Sequence, residues 1–116
     1  MSAERLEFSK SAPLTMGVEL ELQPVNSRDC DLTRAASDLL SQVAKRAHPG
    51  EIKPEITESM IEISTGIHTR HAPLVAELQQ IRNVLLEVAA RLNVGVAGGG
   101  AHPFQHWSDR RIMDAP

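Results

Sequence analysis

Hydrophobic and polar residues alternate through residues 14–25, Leu-Thr-Met-Gly-Val-Glu-Leu-Glu-Leu-Gln-Pro-Val. Val18, Leu20 and Leu22 fall on one side, and Glu19, Glu21 and Gln23 on the other. That period of two predicts a β-strand with one dry face and one acidic, wet face. Pro24 and the polar run to Asp31 are expected to end it. The period then lengthens. Leu32, Ala36, Leu39, Leu40, Val43 and Ala47 recur at helical spacing and predict a helix over 33–47, capped by Asp31 or Thr33 and stopped by His48-Pro49-Gly50.

Residues 54–65, Pro-Glu-Ile-Thr-Glu-Ser-Met-Ile-Glu-Ile-Ser-Thr, fit two patterns. As a helix, Ile56, Met60 and Ile63 share a face. As a strand, Thr57, Ser59, Ile61 and Ile63 share one face, and Glu58, Met60, Glu62 and Ser64 the other. The isoleucines and threonines favour the strand. Further on, Leu74, Leu78, Ile81, Leu85, Val88 and Leu92 form a helical stripe from about Ala72 to Leu92, with Pro73 in the first turn and Asn93 as the stop. Val94–Ala97 predicts a short buried strand running into Gly98-Gly99-Gly100-Ala101-His102-Pro103-Phe104. The order β–α–β–α–β allows a mixed sheet with helices on one face, in one folding unit over 14–116 behind a polar leader, residues 1–13.

Composition narrows the function classes. The chain has 116 residues, enough for one small domain. A net charge of −3 with no basic stripe argues against nucleic-acid binding, and an aromatic content of 3% argues against a base-stacking surface. No apolar run approaches the ~20 residues of a membrane span, and the polar N-terminus is no signal peptide. Cys30 is the one cysteine, so no internal disulfide forms, and a cytoplasmic protein is expected. Its acidic neighbours Asp29 and Asp31 make it a loop thiol, not an activated nucleophile.

Carboxylates carry the candidate chemistry. Glu19 and Glu21 would point the same way from a strand, roughly 6–7 Å apart, close enough to flank divalent cations. Such a pair repels itself, so something positive should sit over it; a solvated outer sheet face would carry the same pattern. Glu58 and Glu62 would lie roughly 13 Å apart on one strand face, too far to share an ion. Each could instead pair across a neighbouring strand with Glu19 or Glu21 at about 5 Å, making a trough of oxygen ligands suited to Mg²⁺ or Mn²⁺. The glycine run 98–100 permits close backbone approach by a ligand, and serves equally as a flexible turn. His102 could bind a substrate carboxylate or cap that loop.

The segments Met16–Gln23, Glu51–Ile63 and Gly98–Phe104, in this order and spacing, resemble the signatures of the type 2 glutamate–cysteine ligase family, in its YbdK-like carboxylate–amine ligase branch. The resemblance runs from about residue 8 to the end of the chain. It implies an α+β, glutamine-synthetase-like catalytic fold with a mainly antiparallel sheet and helices packed on one face. It implies ATP with Mg²⁺ (or Mn²⁺), and activation of a carboxylate, typically the γ-carboxylate of glutamate, for attack by an amine. By motif match, Glu19, Glu21, Glu58 and Glu62 would be metal ligands, and Gly99, Gly100 and His102 would line the amino-acid pocket, with Glu55 carrying less weight. It also resolves residues 54–65 as a strand. Family members run to about three times this length on the usual domain scale. The chain is therefore expected to be an N-terminal portion, inactive alone, with an apolar edge open to homo-oligomer formation. The competing expectation is a metal-binding or scaffold domain that keeps the fold without catalysis.

Overall fold

The computed structural model describes residues 6–114. The first five residues of the expected leader, and the last two of the chain, lie outside them. The elements are β1 (Glu19–Asn26), α1 (Ala36–Val43), β2 (Glu51–Pro54), β3 (Ile61–Ser64), α2 (His71–Arg91) and β4 (Val94–Gly98), followed by a 3-10 turn at Trp107–Asp109. The fold is α+β. One four-stranded sheet has the order β2-β3-β1-β4, and every neighbouring pair is antiparallel. β2 returns parallel to β1 with β3 inserted between them, a βαββαβ arrangement of the split type. That insertion removes the parallel neighbours that a mixed sheet would have needed.

The register assigns each residue a face. Leu20 stands opposite Ile63 and Leu22 opposite Ile61, while Ile52 stands opposite Ile63 on the other side. These residues point towards the two helices. Ala36, Leu39 and Val43 of α1 meet Ile81, Leu85, Val88 and Ala89 of α2 over Ile61 and Ile63, and all of them are buried. Burial of the leucine, isoleucine and valine side chains among them contributes about 1.5–3 kcal/mol each. The α2 stripe therefore forms as its periodicity predicts. Asn93 ends the helix in the left-handed conformation, φ 55°, where its side chain is better tolerated than most.

Three expectations change. β1 does not stop at Pro24 but continues to Asn26. β3 begins only at Ile61, opposite Leu22, and the Pro24 carbonyl faces away from β4 to accept Thr33 N–H at 3.0 Å. The missing proline N–H points to that same vacated side, so no ladder bond is lost. Second, α1 is shorter than 33–47 and has no side-chain cap. Thr33 N–H is spent on Pro24, Asp31 accepts from Leu32 N–H, and Ala36 N–H is satisfied by the Glu58 carbonyl at 3.1 Å. Third, residues 54–65 are not one strand. β2 ends at Pro54, a turn occupies 55–60 with Thr57 bridged to Ile112, and the second strand is only Ile61–Ser64. The turn is stapled by the C-terminal segment: Glu58 N–H donates to the Arg111 carbonyl and Met113 N–H to the Ile56 carbonyl.

Candidate functional site

The sheet face away from the helices carries the acids. β1 presents Glu19 and Glu21 there, β3 presents Glu62 and Ser64, and β2 presents Glu51 and Lys53. Two rows run across the strands: Glu19, Ser64 and Glu51 in one, Glu21, Glu62 and Lys53 in the next. Glu21 and Glu62 are direct cross-strand partners, a pairing of like charges that is unfavourable unless something positive is near.

Glu55 completes the group. One carboxylate oxygen each from Glu21, Glu55 and Glu62 lie within 4.8 Å of one another. Glu55 reaches the site because Pro54 ends β2 and turns the chain. Of the four acids carried over by motif, the structure brings Glu21 and Glu62 together. Glu19 stands one row along β1, exposed, opposite Ser64. Glu58 sits in the turn, half-buried, its backbone joined to Ala36 and Arg111. Strand parity had placed Glu58 on the face of Glu62, but residues 55–60 are not extended, so that parity does not carry through the turn.

Lys53 supplies local positive charge. Its Nζ lies 2.9 Å from Glu62 Oε1 and 3.5 Å from Glu51 Oε2. The Lys53 hydrogen bond holds the Glu62 carboxyl below the usual carboxylate range, against partial desolvation and helped by a hydrogen bond to Glu55. The same contact, chiefly, raises the Lys53 ammonium above its ordinary value. The three-acid, all-oxygen donor set and the ammonium already drawn to it both fit a hard divalent cation. Neither Lys53 nor Glu55 was prominent in the sequence; the Lys-Pro-Glu step at 53–55 is the only local signal for both.

The expected wet face is not wet throughout. Gln23, two residues beyond Glu21, is 2% exposed, and among the described residues its Nε2 has no hydrogen-bond partner. β4 leaves the sheet at Gly98, opposite Leu22, one register step short of Glu21. Gly99 follows with φ +116°, and a Cβ added at Gly98 or Gly100 would meet nothing within 4 Å. The loop backbone is thus uncovered. His102 pins it: Nδ1 accepts from Phe104 N–H at 3.3 Å and Gln105 N–H at 3.1 Å, and Nε2 bonds the Cys30 carbonyl at 2.7 Å. A ring accepting at Nδ1 donates at Nε2, so both nitrogens are engaged within the chain, and His102 ties the glycine loop to the β1–α1 connection.

On the other side of the sheet's end, Glu77 of α2 bonds His68 and accepts from Gly66 N–H. His68 lowers the Glu77 carboxyl below its usual range, with the Gly66 amide adding to the effect. Met16 and His68 exchange backbone hydrogen bonds at 2.8 Å, so this clip fixes the approach to β1 three residues before Glu19. Among the described residues, no helix is long and apolar enough to cross a membrane.

The chain is 63% identical over 107 residues to a protein of Janthinobacterium sp. (strain Marseille) named "Putative glutamate--cysteine ligase 2", covering 92% of this chain and 29% of that protein. A protein of the same name from Nitrosospira multiformis is 55% identical over 111 residues, covering 96% and 30%. The chain thus spans about 30% of the length of these relatives. The family model described as glutamate-cysteine ligase family 2 matches residues 15–116, and with the acidic strands and glycine loop inside that match, the chain belongs to that family.

Proposed function

We propose that this chain forms one wall of the catalytic site of an ATP-dependent carboxylate–amine ligase, within a glutamine-synthetase-like fold. The observation that carries the proposal is the convergence of Glu21, Glu55 and Glu62 on the open sheet face, inside a family whose relatives are named as glutamate–cysteine ligases. These three would hold Mg²⁺ or Mn²⁺, with Glu19 one row away, and the bound cation would offset the charge of a triphosphate and of the transferring phosphoryl group. The acids need no nucleophile among them. The reaction is substrate chemistry: a carboxylate, taken here as the γ-carboxylate of glutamate, becomes an acyl phosphate, and an amine displaces phosphate to form the amide.

The chain's own residues shape the site. The β1–β3 register fixes Glu21 against Glu62, and the turn after Pro54 brings in Glu55. The uncovered backbone at Gly99 and Gly100 offers N–H groups to an amino-acid substrate, with His102 positioning that loop. A reducing, cytoplasmic setting suits the exposed thiol of Cys30. Because the relatives are about three times longer, the 116-residue chain is proposed to be inactive alone.

The test is ADP release by a full-length protein containing this chain, given Mg²⁺-ATP, L-glutamate and a panel of amines, with Glu21→Gln as control. Release that needs both glutamate and an amine, and is lost in the variant, is expected. A folded protein that binds Mn²⁺ but releases no ADP with any pair would overturn the ligase proposal in favour of a metal-binding scaffold.

A further inference from the structure

The candidate site already holds a cation of the chain's own. Lys53 faces Glu62 across the β2–β3 pair, with Nζ 2.9 Å from Glu62 Oε1. Glu62 faces Glu21 across the β3–β1 pair. Read across the sheet, the charges run positive, negative, negative, with Glu55 added beside the two acids.

We propose that Lys53 is the built-in counter-ion of this trough, keeping its divalent-cation affinity low so that the cation is retained only together with an anionic, phosphate-bearing co-ligand. This rests on the metal reading above and adds its regulation. Without a metal, Glu21 and Glu62 would repel across the strands; the ammonium offsets one of them and keeps the face in register. With a divalent ion bound, the ammonium becomes a like charge on the far side of the same carboxylate. A unit charge roughly 5 Å from a divalent ion lowers its affinity by about tenfold even in a water-like dielectric. The Lys53 side chain is 41% exposed, so it can swing from Glu62 to a phosphate oxygen on its flexible stem. Such a co-ligand gives Lys53 a new partner and removes the penalty on the metal. Lys53 is in this account a positioning and charge-setting residue; it takes no part in bond making.

The experiment is a Mn²⁺ titration, followed by electron paramagnetic resonance, of a full-length protein containing this chain and of its Lys53→Met, Lys53→Arg and Glu62→Gln variants, each checked for fold by circular dichroism. Lys53→Met is expected to bind Mn²⁺ about tenfold more tightly at low salt, with the gap closing at high salt, while Lys53→Arg stays close to the parent. Inorganic triphosphate should tighten Mn²⁺ binding more in the parent than in Lys53→Met. Equal or weaker binding by Lys53→Met, with Glu62→Gln still abolishing binding, would overturn the counter-ion role and leave the metal site standing. No Mn²⁺ binding by the folded parent or any variant would overturn the metal reading and this inference with it. If Lys53→Met does not fold, Lys53→Gln answers the same question.

Discussion

Replacing Gly50 by alanine should be among the costlier single-atom changes in this chain. Gly50 joins α1 to β2 with φ +63°, a conformation that costs an L-residue about 1–2 kcal/mol. The added Cβ would lie 2.4 Å from the Ser64 carbonyl oxygen and 2.6 Å from Ile81 Cδ1. The isoleucine tip can give way in part. The carbonyl belongs to β3, opposite Glu51, and can retreat only by shifting the strand that carries Glu62. Overpacking of this kind adds roughly 1–3 kcal/mol, so the sum is about 2–5 kcal/mol, a large share of an ordinary domain's 5–15 kcal/mol or so. In urea the midpoint should fall by about 1–2 M. Gly98→Ala is the control: its Cβ meets nothing within 4 Å and its φ is not in the left-handed region, so stability should stay equal or rise by a few tenths of a kcal/mol or so. If Gly50→Ala shifts the midpoint no more than Gly98→Ala, the close packing of the α1–β2 connection on β3 is wrong.

Two further outcomes follow from hydrogen bonds at the edges of the site. Glu77, held below the usual carboxylate range by His68 and Gly66, stabilises the fold fully above its unfolded pKa of about 4.3 and loses that contribution as pH falls through the lower folded value. Plots of stability against pH should therefore drop more steeply below about pH 4.3 in the parent than in Glu77→Gln, and the two should converge in stronger acid. His102→Ala removes the acceptor of the Phe104 and Gln105 amides; those amides should exchange with solvent faster, while global stability falls by only about 1 kcal/mol.

Much of the framework was legible because it rests on repeated local pattern. The stripe on α2 and the alternation of Leu20 and Leu22 with Glu19 and Glu21 are facts of period, and Asn93 announces the end of the helix. What escaped was decided by tertiary partners. β2 is four residues long with one apolar side chain, Ile52, too little period to detect. The cap of α1 is the Glu58 carbonyl, and a backbone acceptor leaves no side-chain signature. Pro24 reads as a strand end because a proline normally costs a ladder bond; only the late start of β3, at Ile61 opposite Leu22, frees it. Glu55 carried less weight because it precedes the motif-matched pair, and the turn after Pro54, which strand parity does not describe, brings it beside Glu21 and Glu62. Lys53 drew no notice because its meaning lies in facing Glu62 across strands.

Mn²⁺ binding to Glu55→Gln and Glu58→Gln, measured side by side in a full-length protein containing this chain, bears most directly on the trough. Removing one carboxylate charge next to a divalent ion should weaken binding by about tenfold or more in Glu55→Gln, while Glu58→Gln binds as the parent does. Weakening in Glu58→Gln with Glu55→Gln unchanged would contradict the site formed by Glu21, Glu55 and Glu62 and return the second acid to the turn.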